Sequence, residues 1–217
     1  MILLTGFEPF GGETVNPSWQ AAQQAAEDLR ADGVDALAVE LPCTFGESIA
    51  ILRAAVSLHR PRLVFCVGQA GGRTRISLER VAINIDDARI PDNEGNQPID
   101  APIRVGGPAA YFSTLPIKQA LQDLIEAGIA AEISQTAGTY VCNHVFYGLM
   151  DQLATTTDRK GDGPRGGFIH VPYSVEQAAV HGVPGMPVAE MATALRLIAL
   201  TSQQTTSDLR LAAGAEH

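Results

Sequence analysis

The sequence predicts an α/β fold: a single-domain, open, twisted and mostly parallel sheet with helices on both faces. Three observations predict it. Short apolar runs alternate with longer amphipathic runs along most of the chain. One short run, "RLVFCVG" from Arg62 to Gly68, has little polar interruption, as expected of a strand covered on both faces. The chain has 217 residues, 46% of them hydrophobic and 18% charged, which suffices for one substantial core. The expected domain spans residues 1–217.

In chain order, "MILLTG" reads as a buried strand. "NPSWQAAQQAAEDLR" reads as a helix, with Asn16 or Ser18 near its cap and Pro17 in its first turn. "VDALAVEL" is a second strand, and "GESIAILRAAVSLHR" a helix stopped by Pro61. "RLVFCVG" is the third strand. "ISLERVAINI" is expected as one continuous strand, followed by the long loop "DDARIPDNEGNQPIDAPIRVGG", with room for a β-ribbon. Loops of that length in compact domains usually serve function. "PIKQALQDLIEAG" is a helix, "AAEISQ" a strand and "CNHVFYGLMDQLA" a helix. "TTTDRKGDGPRGG" is expected as a mobile surface loop, "GGFIHVPY" as a strand and "PVAEMATALRLIALTSQQ" as the final helix. The tail "LAAGAEH" is expected to fray.

Net charge is −9, which disfavours phosphate backbones and anionic membranes as partners. "MILLTGF" is too short and lacks the basic start of a secretory leader, and no apolar run is long enough to cross a bilayer. Three widely spaced cysteines suit a reducing compartment, so the expected location is cytoplasmic. No cysteine or histidine spacing matches a metal site, and neither Gly-rich turn, "TGFEPFGGETVN" or "VGQAGGRTR", has dinucleotide or P-loop spacing. Those turns read either as tight turning at strand ends or as close backbone approach to a small ligand.

The cysteines differ in setting. Cys66 lies inside a buried strand and is expected to be inert. Cys43, after Pro42, is ambiguous. Cys142 falls in the first turn of a helix, where partial positive charge stabilises a thiolate and free N–H groups hold an oxyanion. His144, two residues on, points to another side of that helix and is expected to be hydrogen-bonded at its flank rather than paired with Cys142. His170, at the carboxyl end of "GGFIHV", is the better base. Glu79 shares the phase of Val81, Ile83 and Ile85, and a carboxylate on an apolar phase needs a partner. Its partner is either Arg73, Arg75 or Arg80 in a structural ion pair, with or without a bulge, or an imidazole N–H. Asp86, Asp87 and Asp92 are rival acids.

Five segments, in order, resemble the pyroglutamyl peptidase I family of cysteine peptidases, also called pyrrolidone-carboxylate peptidases. They are "LLTGFEPFGG" with "NPS", "GQAGGR", "ERVAINIDDARIPDNEGNQP", "GTYVCNH" and "GGFIHVPY". The resemblance implies removal of an N-terminal 5-oxoproline (pyroglutamate) from peptides. It makes Cys142 the nucleophile, His170 the base and Glu79 the group that orients it. It assigns Arg89 and the Cys142 N–H to the oxyanion site, and Phe7, Phe10, Gln69, Ile90 and Val141 to the substrate pocket. It also implies a homotetramer without a cofactor. Cys43 stands where such proteins often carry Thr or Val. Two other readings compete: a nucleoside phosphorylase or hydrolase type of enzyme, and a small-ligand binding protein in which Cys142 is merely buried.

Overall fold

A computed structural model of the chain describes residues 1–156 and 163–214. Six strands form one sheet in the order β2-β1-β3-β8-β4-β7. They are β1 (Ile2–Phe7), β2 (Ala36–Leu41), β3 (Leu63–Gln69), β4 (Ile76–Glu79), β7 (Ala131–Ser134) and β8 (Arg165–Val171). Every neighbouring pair is parallel except β4 with β8. The exception follows from chain length: residues 70–75 join β3 to β4, too few for the crossover that a parallel return requires.

The alternation of side chains along the central strands builds two cores. Leu4, Phe65, Val67, Ile169 and Val171 face α1 (Pro17–Ala31), α3 (Ile117–Glu126) and α6 (Val188–Gln204). Leu3, Val64, Cys66 and Phe168 face α2 (Glu47–His59) and α4 (Val141–Thr156). Central strands are thus buried on both sides, which is why "RLVFCVG" is apolar after Arg62. Asn16 caps α1, its side chain accepting from Ser18 N–H at 3.0 Å, and Pro17 opens the helix. α2 stops at His59, and Arg60, before Pro61, turns left-handed at φ 47°.

Three expectations change. "ISLERVAINI" is not one strand: it breaks at Arg80 into β4 and β5 (Val81–Ile83), and β5 leaves the main sheet to pair with β6 (Ala110–Phe112). That antiparallel pair, with a bridge from Asp86 to Ala101, is the ribbon flanking the long loop. A short helix, α5 (Val175–His181), stands between β8 and α6, where no element was expected. The described part of the tail is tied down rather than frayed: Lys118 Nζ donates to Leu211 O at 2.5 Å and Arg80 to Ala213 O at 2.9 Å. Of the loop expected at "TTTDRKGDGPRGG", Thr155 and Thr156 end α4, Arg165 to Gly167 begin β8, and 157–162 lie outside the described residues, as do residues 215–217. No helix among the described residues is long and apolar enough to cross a membrane.

Candidate active site

The register of three strands places the site. Gly68 of β3 and Ser77 of β4 both sit opposite His170 of β8, and Cys66 sits opposite Phe168. Opposed residues share a face, so Gly68, Phe168 and His170 lie on the side covered by α4. Glu79, two residues beyond Ser77, shares that side and is a diagonal neighbour of His170. Its Oε1 lies 2.7 Å from His170 Nδ1. Arg73 donates to the same oxygen at 2.6 Å and to Thr136 O at 3.1 Å. Glu79 is fully buried and His170 is 4% exposed.

Both sequence explanations for Glu79 therefore hold together: it forms an ion pair with Arg73 and accepts from the imidazole. The phase argument that led there fails, because β4 and β5 are separate strands and Ala82, not Val81 or Ile83, is the buried residue of β5. What buries Glu79 is its place in a four-residue strand whose every member is buried.

Cys142 is the second residue of α4 and half-buried, its side chain against the sheet. A Cβ built on Gly68 would stand 2.8 Å from Cys142 Sγ and 2.8 Å from the Phe168 ring. Glycine is required there because helix and sheet approach closely. The sulfur thus rests on the residue directly opposite His170, although no hydrogen bond joins them among the described residues. The Phe168 ring lies 4.8 Å from the His170 ring, centroid to centroid, and also packs on Phe7 at 6.4 Å and Phe146 at 5.9 Å. His170 is therefore held by a carboxylate at one edge and a phenyl ring beside it.

Burial sets the protonation states. It pushes the Cys142 thiol well above 9.0, helped by the neighbouring Cys43 thiol and Glu79 and opposed by Arg73. It pushes His170 below 6.5, against the hydrogen bond to Glu79. Desolvation thus opposes the helix terminus at Cys142 and favours the neutral forms of both groups. With Glu79 accepting at Nδ1, the proton sits on Nδ1 and Nε2 keeps its lone pair. Cys43 and Cys66 are pushed up to about 12 by burial.

The remaining expected residues fall in three groups. Phe7, at the end of β1, is buried and belongs to the Phe168 cluster, and Val141 is buried in the turn before Cys142. Phe10 is half-buried, 6.2 Å from the Tyr140 ring. Gln69, the last residue of β3, is 7% exposed and accepts from Gln177 Nε2 at 3.3 Å. Arg89 and Ile90 are exposed, and Arg89 bonds to no other described residue. Their loop is pinned beside the start of α4: Asp87 N–H donates to Thr139 O at 2.9 Å, and Thr139 Oγ1 donates back to Asp87 O at 2.7 Å.

His144 has the flank role the sequence suggested. Its Nδ1 pairs with Asp86 Oδ2 at 2.8 Å and its Nε2 accepts from Gly46 N–H at 2.8 Å. Asp86 and Asp92 are thereby accounted for as loop-tying acids, since Asp92 accepts from the N–H groups of Phe45, Glu94 and Asn96. Sequence reasoning missed Phe168, Asn143 and Gln177. Phe168 stands two residues before His170 on a strand, so its shared face was readable. Gln177 ends the capping-box pattern "SVEQ", also readable. Asn143 bridges Ile83 and Ile85 on β5 and beyond, a tertiary contact with no local signal. Among the described residues no group of three or more His, Cys, Asp or Glu is arranged to hold a metal ion.

A family described as pyroglutamyl peptidase matches residues 1–205. The pyrrolidone-carboxylate peptidase of Escherichia fergusonii is 52% identical over 217 residues, covering 100% of this chain and 99% of the relative. That of Klebsiella pneumoniae is 54% identical with the same coverage. Among solved structures, pyroglutamyl peptidase I from Bacillus amyloliquefaciens superposes with a TM-score of 0.88 at 46% identity, covering 97% of this chain and 98% of that one.

Proposed function

The chain belongs to the pyroglutamyl peptidase family and is a hydrolase that removes N-terminal pyroglutamate from peptides, and from that premise we propose that Cys142, His170 and Glu79 perform the chemistry. The observation that carries the assignment is the Glu79–His170 contact on the same sheet face against which the Cys142 sulfur packs.

In this reading His170 Nε2 takes the proton from Cys142 as the sulfur attacks the 5-oxoprolyl carbonyl. A C–S bond forms and the carbonyl oxygen becomes an oxyanion. The Cys142 N–H and the Arg89 guanidinium stabilise it; a first-turn N–H has no intrahelical acceptor, and Arg89 has no partner among the other described residues. Collapse breaks the C–N bond, and the leaving amine takes the proton from Nε2. Water then attacks the thioester, giving its proton to His170, which returns it to the departing sulfur. Glu79 keeps the Nδ1 proton in place and faces the transient imidazolium, while Arg73 holds Glu79 Oε1 from the other side.

The pocket suits the substrate. The 5-oxoproline ring is flat and uncharged, and its nitrogen is a lactam, so no ammonium needs an acidic partner. Phe7, Phe10, Ile90 and Val141 supply apolar walls and Gln69 a hydrogen bond. Proline lacks the ring carbonyl, and a site built to pair with that group rejects it by roughly 10⁴-fold.

The same reading treats residues 1–217 as one catalytic domain that works in the cytoplasm as a homotetramer. Three free cysteines support a reducing compartment. Exposed Ile99, Val105 and Phe112, all on or beside the long loop, support self-association, which sedimentation would measure.

The deciding experiment compares a pyroglutamyl reporter with its prolyl counterpart, with and without prior iodoacetamide. Cleavage of the first only, abolished by alkylation and by Cys142→Ala, is expected. Wild-type turnover by Cys142→Ala would remove the nucleophile assignment.

A further inference from the structure

Two stretches of chain meet Tyr140 at the entry to α4. The turn after β1 carries Phe10, whose ring lies 6.2 Å from that of Tyr140. The other stretch is an arch, 88–90, which includes Arg89 and Ile90 and stands on two feet. At one foot Asp87 and Thr139 exchange hydrogen bonds of 2.9 and 2.7 Å. At the other the Tyr140 hydroxyl donates to Pro91 O at 3.1 Å. Both feet thus rest on the two residues that precede Val141 and Cys142, and the backbone of the arch is fixed beside the start of the helix.

Asn93, just past the second foot, ties the arch to the β1 turn. Its Nδ2 donates to Glu8 Oε1 at 2.8 Å and to Pro9 O at 2.9 Å, which uses both hydrogens of the amide. Its backbone N–H donates to Cys43 O at 3.2 Å. The same Glu8 oxygen accepts from Cys43 N–H at 3.0 Å, so one carboxylate oxygen joins the β1 turn, the loop between β2 and α2, and the arch. Asn93 is exposed and its side-chain bonds compete with water, so they contribute little to global stability. What they do fix is the distance between two loops.

We infer that Asn93 is a positioning residue: by latching the arch to Glu8 and Pro9 it sets the spacing of the Ile90 and Phe10 walls between which the 5-oxoproline ring is held. The inference rests on the placement of Phe10 and Ile90 in the pocket proposed above. A small flat ring makes few contacts, so a wall that must be ordered at each binding event weakens binding directly. The latch orders it beforehand.

Asn93→Asp tests this, because it keeps the shape of the side chain but sets an oxygen against Glu8 Oε1 and Pro9 O, and Asn93→Ala removes the side-chain bonds altogether. We expect KM for the pyroglutamyl reporter to rise about 10-fold in each, with kcat within about threefold and the melting temperature within about 3 °C of the parent. Glu8→Ala is expected to raise KM similarly. Glu8→Gln keeps the accepting oxygen and is expected to recover most of that loss. The double variant Glu8→Ala with Asn93→Ala is expected to fall well short of the product of the two single effects, because both break one contact. An unchanged KM in Asn93→Asp overturns the inference. So do independent, multiplying effects in the double variant, or a Glu8→Gln as impaired as Glu8→Ala. A lowered melting temperature with KM unchanged would make the contact structural only, and would overturn it too. Absence of turnover by the parent enzyme would instead overturn the proposed function, so the two failures are distinguishable.

Discussion

Glu79 Oε1 lies 2.7 Å from His170 Nδ1 although 91 positions of sequence separate the two residues. Antiparallel pairing of β4 with β8 creates the contact, and the parallel pairing of β3 with β8 sets Gly68, and the Cys142 sulfur above it, beside His170. One strand thus carries His170, the proposed base, while its two neighbours deliver Glu79, the proposed orienting acid, and the seat for Cys142, the proposed nucleophile.

The acid is expected to act through its charge and acceptor geometry rather than its volume. Glu79→Gln keeps the shape but presents an amide where His170 needs an acceptor and a counter-charge. We expect kcat to fall by about 10²–10⁴-fold while the protein stays folded. Arg73→Met leaves the fully buried Glu79 carboxylate without its cation, which costs more in stability than Glu79→Gln does. Steady-state kinetics and thermal melting on both variants check the pair. Near-normal kcat in Glu79→Gln would contradict the orienting role.

Gly68→Ala adds one methyl where helix and sheet meet. That methyl would stand 2.8 Å from both Cys142 Sγ and the Phe168 ring, and neither contact is tolerable without movement. Overpacking of this kind costs about 1–3 kcal/mol. The activity loss is expected to be larger than the stability loss suggests, about 10²-fold, because the sulfur is displaced directly. A kcat within twofold of the parent would show that the sulfur does not depend on this seat.

The strand-helix alternation was legible because the central strands are buried on both faces and so are mostly apolar, while α1 and α6 show clear stripes. Cys142 and His170 stood out as candidates from their places at a helix start and a strand end, and the structure brings both to one sheet face. The division of β4 from β5 was not, since "LERVAIN" keeps strand composition throughout and the break arises when β5 leaves to pair with β6. The burial that raises the Cys142 thiol was not legible for a related reason: the helix terminus is local and readable, whereas the burial comes from strands distant in sequence.

Asn143 is expected to matter for stability before activity. It is fully buried, its Oδ1 accepting from Ile83 N–H at 3.0 Å and its Nδ2 donating to Ile83 O at 2.9 Å and Ile85 O at 3.0 Å. It joins the ribbon to α4 one residue after the nucleophile. Asn143→Ala removes all three bonds and strands buried backbone groups, an expected loss of about 2–3 kcal/mol in urea unfolding. A loss under about 0.5 kcal/mol would mean that water replaces the side chain.

The pH dependence follows from the two shifts, which point away from an ion pair. Burial holds His170 below its ordinary 6.5, so the folded protein binds fewer protons there than the unfolded chain. That contribution to stability is complete above about pH 6.5 and is lost as pH falls toward the lower, folded-state value. Activity needs the lone pair on Nε2, so the acid limb of kcat/KM is expected to have its midpoint below 6.5 and to move with Phe168 or Glu79 variants. The Cys142 thiol lies well above 9.0, so neutral pH holds little thiolate in the absence of substrate. Iodoacetamide alkylation of Cys142 is therefore expected to keep rising from about pH 7 to about pH 9. A resting thiolate–imidazolium pair would instead give a rate already level at about pH 7, and that result would mean that Glu79 and Arg73 set the charges at this site more strongly than burial does.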